Sequence, residues 1–209
     1  MGFQRLGGKQ SKPILSEPYV PLFLERTNMP TRSEIQDILA ASQEKVVAYF
    51  DGLSPEALER PCTESGVPGE VPWRAKDHFA HLTANEQGIQ TLLRITLTGG
   101  SLPDHLANMS AEERLAWSNQ RNQTYVNAHR NDSMETLHAQ LSTARQETLD
   151  LLEQFTDEQL AAPVSPSFLR NMTADTLFVA NAQHSATHIA WIEEGFRQGL
   201  EGSEPAEEP

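Results

Sequence analysis

A chain of 209 residues, 38% of them hydrophobic, is long enough for one domain that buries its own core without disulfides or a structural metal. Its formal net charge of −13 is uneven, +2 over residues 1–30 and −4 over 201–209, so the body carries −11; such a body is expected to repel phosphate backbones, which predicts no nucleic-acid partner. The single cysteine, Cys62, excludes an internal disulfide and fits a reducing, cytoplasmic compartment, while no run is long and apolar enough for a membrane span or a signal peptide.

Residues 1–30 read as a partly extended N-terminal arm, punctuated by Pro13, Pro18, Pro21 and Pro30. Its apolar stretch, with Leu22, Phe23 and Leu24, calls for burial on the body or on a second subunit. Thr31-x-x-Glu34 is a capping-box pattern, followed at helical spacing by Ile35, Ile38, Leu39, Val46, Tyr49 and Phe50. Ser54-Pro55 opens a short helix. A long helix is predicted over 72–98, carrying Phe79, Leu82, Ile89, Leu92 and Leu93 and ended by Gly99-Gly100. Ser110-x-x-Glu113 opens a third long helix to about His129, and Asp132 caps a fourth, with Leu137, Leu141, Leu151 and Leu152 on one stripe. Thr156-x-x-Gln159 marks another short helix, and a last long one runs from about Thr173 to Gln198. Residues 201–209 read as a disordered acidic tail. No strand hairpin is predicted, so the expected class is all-α: a four-helix bundle over 31–200 with short extra helices.

The last helix contains "HSATHIAWIEEGF", in which His184 and His188 stand one turn apart on one face and can grip one ion. A metal site needs a third ligand, and "VPWRAKDHFAHLTANEQ" (71–87) offers His78 and His81 at the start of the second long helix. Periodicity does not separate these two. On the third long helix the apparent inward stripe is Leu115, Ser118, Asn122, Val126 and His129; Ser118 and Asn122 are polar where a core would be apolar, either as a polar wall of a substrate pocket or because the stripe tilts to solvent.

Trp73, Asp77, His81 and Leu82, followed by His184-x-x-x-His188, resemble the two motifs of the DinB-like metal-binding bundle superfamily. The order of elements agrees over roughly residues 31–200. The resemblance implies a bundle with up-down-down-up connectivity and a metal site of His81, His184 and His188, holding Zn²⁺, Ni²⁺ or Fe²⁺ with positions left open for substrate. Asp77 and Asn85, one turn to either side of His81, become candidates to orient an imidazole. His78, His105, His129 and His138 receive no metal role. Members of the superfamily include mycothiol- and bacillithiol-dependent enzymes, which implies an S-transferase joining a low-molecular-weight thiol to a small electrophile. The isomerase branch carries a carboxylate where this chain has His184, and a further C-terminal domain, which disfavours that activity. The alternative is a non-catalytic protein of the same fold that sequesters a small molecule, and the plainest is an acidic helical dimer whose histidines are core. A homodimer is expected because such bundles pair and because the arm needs burial.

Overall fold

The computed structural model describes residues 30–165, 169 and 172–199. The predicted arm, apart from Pro30, and the acidic tail lie outside the described residues. Helix α1 spans Arg32–Asp51 and the short α2 Pro55–Glu59. Strands β1 (Pro61–Thr63) and β2 (Trp73–Arg74) precede α3 (Ala75–Leu97). Then come α4 (Asp104–Ala107), α5 (Ala111–His129), α6 (Met134–Leu152), α7 (Asp157–Leu160) and α8 (Ala174–Gln198).

The helix starts are set by local chemistry. Thr31 Oγ1 accepts from the Glu34 N–H while Glu34 Oε2 accepts from the Thr31 N–H at 2.7 Å, so two orphan donors of α1 are satisfied reciprocally. Ser110 with Glu113 and Thr156 with Gln159 do the same for α5 and α7. For α6 the cap is Ser133, whose Oγ accepts from the Thr136 N–H at 3.1 Å; Asp132, the expected cap, instead meets the His129 ring at 2.8 Å.

Two apolar clusters fix the direction of each helix. One gathers Ile35 and Leu39 from the start of α1, Leu93 from the end of α3, Leu151 and Leu152 from the end of α6, and Leu177 and Phe178 from the start of α8. The other gathers Val46 and Phe50, Ala75 and Phe79, Leu137 and Leu141, and Ile192, from the opposite halves of the same four helices. Hence α1 and α8 run one way and α3 and α6 the other, a four-helix bundle with up-down-down-up order. Because α3 and α6 are parallel neighbours, the chain must return along the bundle between them, and α5 does so, packed on α3.

Two further details differ from the sequence reading. A two-stranded antiparallel pair exists, β1 with β2, in the register Pro61 to Arg74 and Thr63 to Trp73. On α5 the buried residues are Gln123 and Val126, while Leu115 is 40% exposed. That helix lies outside the four-helix ring, so the predicted stripe is covered only past its first turns: Val126 is buried and Ser118, Asn122 and His129 are half-buried.

Candidate metal centre

The first two turns of α3 meet the middle of α8. Asp77 anchors the start of α3: its Oδ2 accepts from the Arg74 N–H at 2.9 Å, and its fully buried carboxylate pairs with Arg74 (2.9 Å) and Arg130 (3.0 Å). One turn later His81 points at α8. Its Nε2 lies 3.2 Å from His184 Nε2, and His188 Nε2 lies 2.9 Å from the same atom. One ring nitrogen from each of the three falls within 4.8 Å of the others. Trp73, held by its indole N–H to Gln123 Oε1 at 2.8 Å, sets its ring 5.2 Å from that of His81, and Trp191 stands 4.8 Å from His188.

His78, which has no metal role in the sequence reading, packs against His188 from outside the trio. It is buried, and its Nδ1 lies 2.7 Å from His188 Nδ1 while its Nε2 lies 2.8 Å from Thr63 Oγ1 on β1. Sequence could not single it out, because residues 77–84 are all buried and no exposed face marks the helix. Of the other histidines, His129 pairs with Asp132 and His138 with Asp51, and neither belongs to the group.

Burial drives all four imidazoles to the neutral form. His184 is pushed down to about 4, and His78 to about 3, by burial and then by His184. His81 and His188 are held well below the ordinary histidine value by burial and by the neighbouring rings. A neutral imidazole offers one lone pair, which is the form that ligates metals. Ligand nitrogens about 2.0–2.1 Å from a tetrahedral zinc stand roughly 3.3 Å apart. The two nitrogen separations here, 3.2 and 2.9 Å, are of that size. Lone pairs meeting at such distances repel unless a proton or a cation lies between them, so the trio can hold a metal ion. Three imidazoles would leave a coordination position for a further ligand.

Asp77 faces Arg74 and Arg130, not an imidazole. Asn85 donates from Nδ2 to Asn181 Oδ1 at 3.1 Å and, with Gln43, Glu86, Arg145 and His184, lines a small cleft with room for about one water molecule. Ser118 and Asn122 are half-buried on α5 and do not line that cleft. Cys62 is buried, its Sγ 3.5 Å from the Trp73 carbonyl, and burial with the nearby Asp77 charge pushes its thiol up to about 12. No helix among the described residues is long and apolar enough to cross a membrane.

The DinB superfamily pattern matches residues 77–192, from the buried acid of α3 to the end of the α8 core stripe. No curated protein matches the chain. Several solved structures share the fold. An uncharacterised protein of Escherichia coli UTI89 is 16% identical, with a TM-score of 0.59 over 81% of this chain and 95% of that one. YfiT from Bacillus subtilis, described as a probable metal-dependent hydrolase with an unusual four-helix bundle topology, is 16% identical, with a TM-score of 0.57 over 84% and 93%. The colibactin self-resistance protein ClbS, in complex with a dsDNA, is 12% identical, with a TM-score of 0.59 over 79% and 94%. The last corrects the exclusion of nucleic acid drawn from net charge. A bundle of this fold can face a duplex, and −13 averages a whole surface of which a duplex meets one side.

Proposed function

The chain belongs to the DinB superfamily, and from that membership and its three-histidine cluster we propose a metalloenzyme that transfers a low-molecular-weight thiol to a small electrophile. The observation that carries the reading is the convergence of the His81, His184 and His188 Nε2 atoms. When bound there, a divalent cation such as Zn²⁺, Ni²⁺ or Fe²⁺ supplies the Lewis acidity that keeps a thiol as thiolate at neutral pH. The protein's part is to hold three neutral imidazoles, to wall the site with Trp73 and Trp191, and to keep carboxylates off it. Asp77 is committed to Arg74 and Arg130, and Glu86 to Arg145 at 3.0 Å. A cation held by neutral ligands alone favours an anionic partner, which a thiolate is. Cys62, buried and with its thiol pushed up to about 12, is unsuited as the nucleophile, so the sulfur comes from outside. That sulfur bonds to the electrophilic carbon as the leaving group departs with the electron pair. The proposed setting is a reducing cytoplasm and the proposed assembly a homodimer, which light scattering would check.

A second reading, hydrolysis of a small substrate by metal-activated water, is favoured by the description of YfiT. The test starts with metal content by plasma mass spectrometry. About one equivalent in the parent and little in His184→Ala is expected. Thiol consumption is then followed with glutathione, bacillithiol or mycothiol and a dinitrophenyl halide. Loss of thiol that stops on chelation and in His81→Ala, His184→Ala and His188→Ala supports transfer. Product release without any thiol supports hydrolysis, and tight binding without turnover supports sequestration. No metal in the parent, even after incubation with Zn²⁺ and Ni²⁺, removes the first two.

A further inference from the structure

His78 is three residues from a proposed ligand, yet it faces another one. Both of its ring nitrogens are engaged, Nδ1 with His188 Nδ1 at 2.7 Å and Nε2 with Thr63 Oγ1 at 2.8 Å. A neutral imidazole has one N–H and one lone pair. If His188 is to offer its lone pair at Nε2, toward His184 and His81, its proton must sit on Nδ1. His78 Nδ1 must then accept, so the His78 proton is on Nε2 and is donated to Thr63 Oγ1. One choice of tautomer at the ligand therefore fixes the polarity of the whole chain, from α8 through α3 to β1.

We propose that His78 is a positioning residue for the metal centre, which orients His188 by accepting its Nδ1–H and is itself held by Thr63. Metal-bound histidines commonly donate the second N–H to a carboxylate or a backbone carbonyl. Here the acceptor is a neutral ring, so the ligand is oriented without bringing a negative charge to the site. The nearby carboxylate of Asp77 is turned away by two arginines. The placement of Thr63 depends on β1 lying against α8, and Gly195 allows it: a Cβ there would stand 1.8 Å from the Cys62 carbonyl oxygen.

This inference rests on the three-histidine reading, and the experiment separates the two. Zn²⁺ affinity by chelator competition and the visible spectrum of the Co²⁺ form are measured for the parent, His78→Leu, His78→Asn and His78→Gln. The expected result is about a tenfold to hundredfold loss of affinity in His78→Leu, with a shifted Co²⁺ band. His78→Asn, whose Oδ1 falls where Nδ1 was and can only accept, is expected to recover most of the affinity. His78→Gln, with its oxygen one atom farther out, recovers less. A packing role alone would lower the melting temperature of the metal-free protein and leave affinity and spectrum as in the parent. That outcome, or equal affinities for the Asn and Gln variants, overturns the assignment even if His78→Leu does not fold. In the zinc-loaded parent, nitrogen NMR is expected to show the Nε2–H tautomer of His78, and the Nδ1–H tautomer overturns the proposal. A parent that binds neither ion overturns the three-histidine reading, and this one with it.

Discussion

Glu86 and Arg145 meet inside the bundle, beside the histidines but not among them. Glu86 is 2% exposed, its Oε2 lies 3.0 Å from Arg145, and its Oε1 accepts from Thr148 Oγ1 at 2.6 Å. Gln90 extends the network to Thr148 and to the Ala144 carbonyl, and Arg145 reaches the Leu39 carbonyl at 3.3 Å. Burial pulls the Arg145 guanidinium down and the Glu86 charge raises it again. Such a pair adds little net stability over well-packed apolar residues, but each partner makes the other tolerable. Glu86→Ala is therefore expected to cost about 3–5 kcal/mol, because an uncompensated guanidinium stays in the core. The double variant Glu86→Leu with Arg145→Met is expected to regain most of that. Urea unfolding of the three proteins measures both; a loss under about 1 kcal/mol in Glu86→Ala would mean that Arg145 finds water or another acceptor.

At the scale of elements, the hairpin of β1 and β2 closes the end of the bundle where the histidines lie, and its fit to α8 depends on one glycine. Adding a methyl group at Gly195 forces it into the Cys62 backbone, with carbonyl oxygen, carbon and Cα all at 3.0 Å or less. Gly195→Ala is expected to destabilise by about 1–3 kcal/mol as β1 is pushed off the helix. It should also weaken zinc binding more than an alanine at the neighbouring exposed Glu193, since Thr63 moves with β1; thermal melts and zinc competition on the two variants test this. The long helices were legible in the sequence because their apolar stripes and caps act locally: Thr31 with Glu34 on α1, Ser110 with Glu113 on α5. The pair His184 and His188 was legible for the same reason, one turn apart on one helix. The hairpin was not, because strands of three and two residues, one opening with Pro61, show no alternation. His78 was not, because its partners Thr63 and His188 lie 15 and 110 residues away and only the folded bundle brings them together. The α5 stripe was legible only in part, because that helix packs on α3 outside the ring: Val126 is buried, but the polar Gln123 and Asn119 also face protein and Leu115 faces water.

For the whole molecule, four neutral imidazoles in one core make stability depend on pH in a definite direction. The folded values, about 3 for His78, about 4 for His184 and well below the ordinary value for His81 and His188, lie under the 6.5 of a free histidine. Above pH 6.5 neither the folded nor the unfolded chain protonates them, and the full stability is present. As pH falls below 6.5 the unfolded chain takes up protons that the folded core refuses, so stability is lost on the way down toward the folded values. Each such histidine contributes about 1.4 kcal/mol per pH unit in that window. The metal-free protein, stripped with chelator, is therefore expected to lose urea resistance steeply between pH 6.5 and 5. Replacing His81, His184 and His188 together by Gln removes three of the four groups and is expected to flatten the profile to about the slope of one. If parent and triple variant instead fall in parallel, the acid sensitivity belongs to the carboxylates of the surface, and the histidine cluster is not the soft point of the bundle.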